Sequence, residues 1–475
     1  MDLTYDRSMV PEIVFDERPD FVRLYYKAWE LAAEHIKTIP GLPVERHMDE
    51  GASNEKIWIW DTCFMVHFCK YAPDFFPGIQ SLDNFYFTMY DGKKCSCKIH
   101  HADNPPLFAW IEYEYYRFTG DKSRIHRNLV DRQYLQKHYD FLENTCRIGL
   151  CPEYSSSAVL WQKMDNGYFW SGCPSGMDNT PRGVDRYSFF WVDAISQMAL
   201  SALYIARLAQ EIGREDISDE YMAKYREKCQ LINDLYFDET DGSYYDIAVA
   251  TKHHIKVLTP ASFWPLMAEA APDERAARQI KTLLDPMKLG GKVALPSVSR
   301  DDPAFCSDGR YWKGAVWLPT SYMVTKALEK YGRFDLAADV AYSTVNHMAK
   351  TFDNFFPQTI WECYSPDRYA PATNRSPQRT CRPDFCGWSA LGPISMLIEN
   401  IMGFHRADAV AKRLDFHCRR SDFRYGIKRL SFGDVTCDII VEKGTLCCQS
   451  NTPFTLCVDG IEHSIAAGDN NVKLY

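Results

Sequence analysis

Apolar residues return every three or four positions over most of the first 400 residues, the spacing that lays one face of a helix against a core. Ile195, Met198, Ala202, Ile205, Ala209 and Ile212 form one such stripe and predict a long packed helix. Gly213 stops it, and an Asp- and Glu-rich turn leads into a second helix through Tyr221, Tyr225, Leu231 and Leu235. The device recurs where Ala327 to Tyr331 close on Gly332 and Asp335 to Ala338 open the next helix. Turns this short make antiparallel neighbours. Helical stretches begin near 19, 61, 76, 106, 122, 187, 217, 260, 273, 314, 334 and 386, about twelve in all, which fits six hairpins closed into a ring.

The stretches 147–186, 238–259, 287–312 and 353–385 are too long to be turns, and long ordered loops usually carry function. Within them Asp238 to Ser243, flanked by Tyr236-Phe237 and Tyr244-Tyr245, predicts a small β-hairpin serving as scaffold. After about residue 410 the period shortens to two, as in Thr436 to Val441 and Phe454 to Val458, with Gly and Asn turns between. The expected organisation is therefore mainly α, with a helical ring over 1–410 and a β-rich subdomain over 411–475. The second part is too small to bury a generous core alone and is expected to dock on the helices.

Composition narrows the function. The 475 residues carry a net charge of -9 and show no concentrated Lys/Arg face, which argues against a nucleic-acid partner. No window approaches a membrane span and the first residues lack a signal-peptide pattern, so a soluble chain is expected. The 17 cysteines are odd in number and sit mostly inside apolar segments, which suits buried thiols in a reducing compartment. The expected location is the cytoplasm, with the periplasm as the alternative if a leader has been trimmed. Aromatic residues make up 14% of the chain; their faces suit sugar rings and equally build cores.

Four constellations carry candidate chemistry. Ser175-Gly176-Met177-Asp178-Asn179-Thr180-Pro181-Arg182 is a polar, Gly- and Pro-punctuated stretch among Tyr168, Phe169, Trp170, Phe189 and Trp191. Apolar neighbours would keep the Asp178 carboxyl protonated, as a general acid must be; the plain alternative is an Asx-turn. Thr359-Ile360-Trp361-Glu362-Cys363-Tyr364-Ser365-Pro366 sets one acid among aromatics, so Glu362 is either a water-activating base or an ordinary loop glutamate. Trp58-Ile59-Trp60-Asp61-Thr62 and Asp308 to Trp317 both place tryptophan with charge at a helix entrance, either stacking on a pyranose or capping a helix whose tryptophans are core. Cys95, Cys97, His100 and His101 lack the usual zinc spacing, so no metal and no cofactor is expected, and His100, His101 and Asp103 are read as loop residues near a pocket.

The ordered landmarks Trp60-Asp61, Asn104-Pro105-Pro106-Leu107 with Ala109-Trp110, Ser175 to Arg182, Tyr311-Trp312-Lys313-Gly314, Glu362 and Phe385 to Leu391 resemble the glycosidase clan of trehalases, glycoside hydrolase family 63 and mannosylglycerate hydrolases. The resemblance spans nearly the whole helical region and implies an (α/α)6 barrel. It implies an exo-acting, inverting α-glycosidase with Asp178 as general acid and Glu362 as general base. It further implies a sugar-binding role for Trp60, Asp61, Asn104, Arg182, Tyr311, Trp312, Lys313, Trp361 and Trp388, and a carbohydrate as the partner. Asn104 stands where such enzymes commonly have Gln, Lys313 where they have Arg, and Ser365 where they have Asn, so the sugar's identity is not inherited.

Inversion needs the two carboxyl groups roughly 6.5 to 9.5 Å apart, with room for a water. Alternatives to the hydrolase stay open. A phosphorylase on the same kind of barrel would use phosphate in place of water, and Arg375, Arg379 and Arg382 crowd one loop near Glu362. Those arginines are alternatively a solvated loop or a site for a substrate carboxylate. A non-catalytic carbohydrate-binding toroid is the third reading; a sugar isomerase would want a histidine pair, and no clear pair stands out.

Overall fold

The computed structural model describes residues 4–51, 55–99, 106–144, 161–170, 175–182 and 189–474. The chain is mainly helical up to residue 401, and its helices are α1 (Pro19–Glu34), α2 (Ile59–Cys69), α3 (Gly78–Tyr90), α4 (Phe108–Thr119), α5 (Lys122–His126), α6 (Tyr134–Asn144), α7 (Val192–Glu211), α8 (Glu215–Leu231), α9 (Trp264–Met267), α10 (Asp273–Leu284), α11 (Leu318–Lys330) and α12 (Phe334–Asn354). A last segment, α13, is a 3-10 turn (Trp388–Leu391) running straight into a wider π-wound stretch (Gly392–Ile401).

Packing orders these helices. Contacts run from α2 to α4, α7, α9, α11 and α13 and return to α2, so six helices close on one another. Burial follows from that position. All eleven residues of α2 are buried, and α7 is buried on every side along most of its length, Ser196, Gln197 and Ser201 included. The single stripe expected on α7 is therefore one face of a helix enclosed all round, which small Ala and Ser residues allow. By contrast α10 buries only Ala276, Gln279, Ile280, Thr282 and Leu283, one face of an outer helix.

Helix ends follow the expected glycine stops. At Gly213 (φ +71°) the backbone N–H bonds to Gln210 O, and that of Arg214 to Ala209 O; Gly332 (φ +67°) repeats the pattern on Glu329 and Leu328. Phe237–Asp238 and Ser243–Tyr244 pair as the expected hairpin.

The β-rich part forms two sheets. Glu12–Phe15 pairs antiparallel with Tyr425–Phe432, followed in order by Val435–Glu442, Thr445–Ser450 and Gly468–Lys473. Arg406–Asp408, Arg413–Phe416, Phe454–Val458 and Ile461–Ile465 make the second sheet. Docking on the helices runs through α4: Arg117 ion-pairs with Asp408, Ala409 N–H donates to Arg117 O and Gly433 N–H to Phe118 O. The helical ring and the β-rich part thus meet through buried charge as well as apolar contact.

One end of the ring gathers the C-terminal turns of the inner helices. There a cavity of about 560 Å³ is lined by His67, Lys70, Tyr322, Lys326, Lys330 and Glu399 among others. Lys70 and Lys326 pair with Glu399 at 3.0 and 2.6 Å, and Lys330 and Arg207 pair with Glu269. Cations at helix C-termini offset the converging carbonyl dipoles, and Glu399 and Glu269 each bridge two of them. The candidate catalytic carboxylates lie elsewhere, where the inner helices begin. Among the described residues no helix is long and apolar enough to cross a membrane.

Candidate active site

The first acid of the site, Asp61, lies in the first turn of α2 and is only 8% exposed. Its neighbour Trp60 packs on Phe64 and Trp264, and Phe64 packs on Trp110, so aromatic rings floor this end of the ring. The 175–182 segment lies over Trp60. Gly176 (φ +71°) has room there only because it lacks a side chain: an added Cβ would sit 2.8 Å from the Trp60 ring. Met177 N–H donates to Ser175 Oγ and Thr180 N–H to Met177 O, which winds the segment into a tight turn presenting Asp178.

Asn179 fastens that turn to the 310–312 backbone. Its Nδ2 donates to Arg310 O at 3.0 Å and its Oδ1 accepts from Trp312 N–H at 2.8 Å. Arg310 and Tyr311 both have positive φ (+40° and +66°), a conformation that non-glycine residues adopt only when their surroundings hold them. Thr373 supplies part of that hold, its Oγ1 accepting from Arg310 N–H and its carbonyl from Tyr311 N–H. Trp312 stacks flat on Trp317 at 4.0 Å, and the Trp317 indole N–H donates to Tyr311 O.

Glu362 enters from the segment beside it, where Val316 and Tyr364 exchange two backbone hydrogen bonds. The side chain is 2% exposed. Oε1 accepts from the Tyr311 hydroxyl at 3.0 Å and Oε2 from the Arg382 backbone N–H at 3.2 Å. The carbonyl of Glu362 accepts from the Trp388 indole N–H and the Ser389 hydroxyl, fixing the backbone as well. A carboxylate has about four acceptor positions, so two donors leave room for a water or a sugar hydroxyl.

Charge couples these groups. Burial is the largest influence on Glu362 and raises its pKa, against the lowering effects of Arg382 and the Tyr311 hydroxyl. Burial also pushes Asp61 well above the usual carboxylate range, and the nearby charges of Asp178 and Glu362 add to the shift. Tyr311 is raised by burial, then by Glu362 and Asp178, so its hydroxyl stays a donor. Asp178 is 31% exposed and ion-pairs with Arg375 Nη2 through Oδ2 at 2.7 Å; the guanidinium lies 5.2 Å from the Tyr311 ring centre. Asp61, Asp178, Tyr311 and Glu362 thus form one electrostatic cluster.

Several expected site residues have other employment. Arg182 is 1% exposed, and its Nε, Nη1 and Nη2 all donate to Asp193 or Asp246, with a further contact to Met177 Sδ. Its five N–H groups are thereby occupied, so Arg182 anchors the 175–182 turn and leaves no donor for a sugar. Trp361 is buried against Phe355 and Trp388 spans Glu362 and Trp317, which makes both supports for Glu362. Lys313 is half-buried, and among the described residues its ammonium makes no ion pair. Asn104, His100, His101 and Asp103 lie outside the described residues. Of the three loop arginines, Arg375 pairs with Asp178, Arg382 gives its backbone to Glu362, and Arg379 closes a turn with Asn374.

Sequence reasoning passed over Asn179, although a polar side chain directly after the acid in a tight turn was visible. Asp193 and Asp246 were also missed; the signal for Asp193 was a lone acid between the aromatic run 189–191 and an apolar helix.

Residues 5–378 match the family described as the mannosylglycerate hydrolase MGH1-like glycoside hydrolase domain. A protein of Borreliella burgdorferi described as uncharacterized is 26% identical over 424 residues, covering 84% of this chain and 83% of that protein. The mannosyl-oligosaccharide glucosidase of Saccharomyces cerevisiae is 24% identical over 308 residues, covering 57% of this chain and 34% of the yeast protein, so the match spans about a third of that enzyme. Among solved structures, a GH63 mannosylglycerate hydrolase of Thermus thermophilus in complex with glucose superposes with a TM-score of 0.59 at 17% identity, covering 78% of this chain and 99% of that one. The chain belongs to the mannosylglycerate hydrolase MGH1-like glycoside hydrolase family, within the group that includes glycoside hydrolase family 63 and the trehalases, and it is a glycoside hydrolase.

Proposed function

We propose that the chain is an exo-acting, inverting α-glycosidase built on an (α/α)6 barrel, with Asp178 as general acid and Glu362 as general base. The observation that carries the reading is the convergence of two carboxyl groups from separate segments on Tyr311: Glu362 bound by its hydroxyl, and Asp178 held at the rim close enough to act on it electrostatically. In the ligand-free site burial raises Glu362 and the guanidinium favours ionised Asp178, the reverse of the working states, so in this reading substrate occupancy sets the protonation of both groups.

In this reading Glu362, as carboxylate, takes a proton from a water that attacks the anomeric carbon. Asp178, protonated, gives its proton to the glycosidic oxygen on the opposite face, and the C–O bond breaks in one step with inversion. Asp61, held neutral by burial, hydrogen-bonds a hydroxyl of the terminal sugar, and Trp60, packed under the 175–182 turn, supports the floor beside it. The aromatic floor of Trp60, Phe64 and Trp264 favours exo action, because a sugar chain has no passage through it. Relatives named as a glucosidase and as mannosylglycerate hydrolases make α-glucosides and α-mannosides the first candidates.

A panel of aryl α-glycosides, α-linked disaccharides and mannosylglycerate, each with and without inorganic phosphate, tests the assignment. Hydrolysis without phosphate is expected, reduced roughly 100- to 10,000-fold in Asp178→Asn and Glu362→Gln. Turnover that requires phosphate would instead establish a phosphorylase. A chain that binds sugars but turns none over would establish the non-catalytic alternative.

A further inference from the structure

We propose that Arg375 is an electrostatic latch on Asp178, holding the acid ionised in the ligand-free site until the leaving-group half of the substrate displaces the guanidinium. The inference rests on Asp178 being the proton donor. It makes Arg375 a positioning residue that ties proton donation to substrate occupancy.

The Nη2 to Oδ2 contact is 2.7 Å, with Asp178 31% exposed and Arg375 59% exposed, so the acid lies inward and the arginine outward at the rim. Arg375 sits on a turn whose closing bonds are local: Asn374 N–H to Arg379 O, Arg379 N–H to Ser376 O and Ser376 Oγ to Gln378 Oε1. The turn is tied to the body of the protein before Arg375, where Thr373 N–H donates to Asp308 O. The guanidinium can therefore swing without unfastening Asp178, whose own turn is held by Asn179.

Among the described residues, the titratable and charged groups around Asp178 include Asp61, Glu362, Tyr311 and Arg375, while Arg382 acts on Asp61 and Glu362. Glu362 as carboxylate disfavours a second carboxylate beside it, while Asp61, held neutral by burial, supplies no compensating cation. With Arg375 in place the Asp178 carboxylate is favoured; with Arg375 gone, the acidic neighbours lose that counterweight and the balance moves toward the protonated form. A carboxylate paired to a guanidinium has no proton to give; departure of Arg375 as a ligand fills the rim lets Asp178 take up a proton from solvent, and only then is it a donor.

The test compares the full chain with Arg375→Gln and Arg375→Lys. Carbon NMR of labelled aspartate, with Asp178 assigned from Asp178→Asn, reads its titration midpoint without needing turnover. In Arg375→Gln the midpoint is expected to rise by about one pH unit, a modest shift because the pair is partly exposed, and Arg375→Lys is expected to keep most of the wild-type value. In kinetics, the kcat/KM limb that reports Asp178 in the free enzyme is expected to move up with it, while the kcat limb, which reports the occupied site, stays. An Asp178 midpoint unmoved by Arg375→Gln, or a kcat limb that moves equally with that of kcat/KM, would overturn the latch. An Asp178→Asn chain that keeps its activity would instead overturn the proton-donor assignment beneath it.

Discussion

Asn179 joins two segments 131 residues apart, donating to Arg310 O and accepting from Trp312 N–H with the two ends of one side-chain amide. That bridge sets the Asp178 turn against the strained backbone of Tyr311, whose hydroxyl holds Glu362. The proposed acid and base are thereby linked through a single amide. Asn179→Ala removes both bonds, and kcat is expected to fall roughly 10- to 100-fold, the scale of a misplaced catalytic group. Stability, read by urea unfolding, is expected to fall by only about 1 to 3 kcal/mol. Unchanged kcat would show that the turn is held by other means.

Gly176 is the point where the same turn touches the floor. Alanine there meets the Trp60 ring at 2.8 Å and must also adopt φ +71°. Gly176→Ala is expected to push the turn off Trp60, raising KM and lowering kcat together, because the displaced turn carries Asp178, the proposed acid, and rests on the floor of the site. Steady-state kinetics on any accepted substrate checks this, and wild-type constants would contradict it.

The Arg182 triad is a matter of folding. Arg182 pairs with Asp193 and Asp246 in a setting where all three are almost fully buried, and Asp246 Oδ1 also caps the backbone of Val192. Arg182→Leu strands two carboxylates in the interior, and a loss of about 3 to 5 kcal/mol is expected. Arg182→Lys is expected to restore little of it, since an ammonium cannot reproduce the forked contacts. A urea midpoint near wild type in Arg182→Leu would contradict the assignment of Arg182 as an anchor.

Activity is expected to have an acid limb set by Glu362, lying above the ordinary glutamate value because burial raises its pKa. The base works ionised, so rate is lost as pH falls through that raised value. The Tyr311 hydroxyl favours the ionised form, and Tyr311→Phe is expected to move the limb to higher pH, by no more than about one unit. A limb that moved to lower pH would contradict the hydrogen bond's role.

Much of the fold was legible because helix periodicity and glycine stops are local signals: the pairs around Gly213 and Gly332 and the strands after residue 410 stand where expected. α6 was not anticipated, because its buried face is carried by Tyr134, His138 and Tyr139 as much as by leucine, a weak apolar stripe. Glu12–Phe15 was not read as a strand, since its partner Tyr425–Phe432 lies at the other end of the chain. In the site, acids set among aromatics were visible at Asp61, Asp178 and Glu362. Arg182 was misread as a sugar ligand because its partners, Asp193 and Asp246, are paired with it only through the fold. Arg375, grouped with its loop neighbours in sequence, is singled out only by its contact with Asp178.

If Asp178 and Glu362 act from opposite faces of one glycosidic bond, the configuration of the first-formed sugar reveals it most directly. Proton NMR of an α-glycoside during early turnover, before mutarotation, is predicted to show the β-anomer. An α-anomer formed first would mean retention, and would contradict the pairing of these two residues as acid and base around a water.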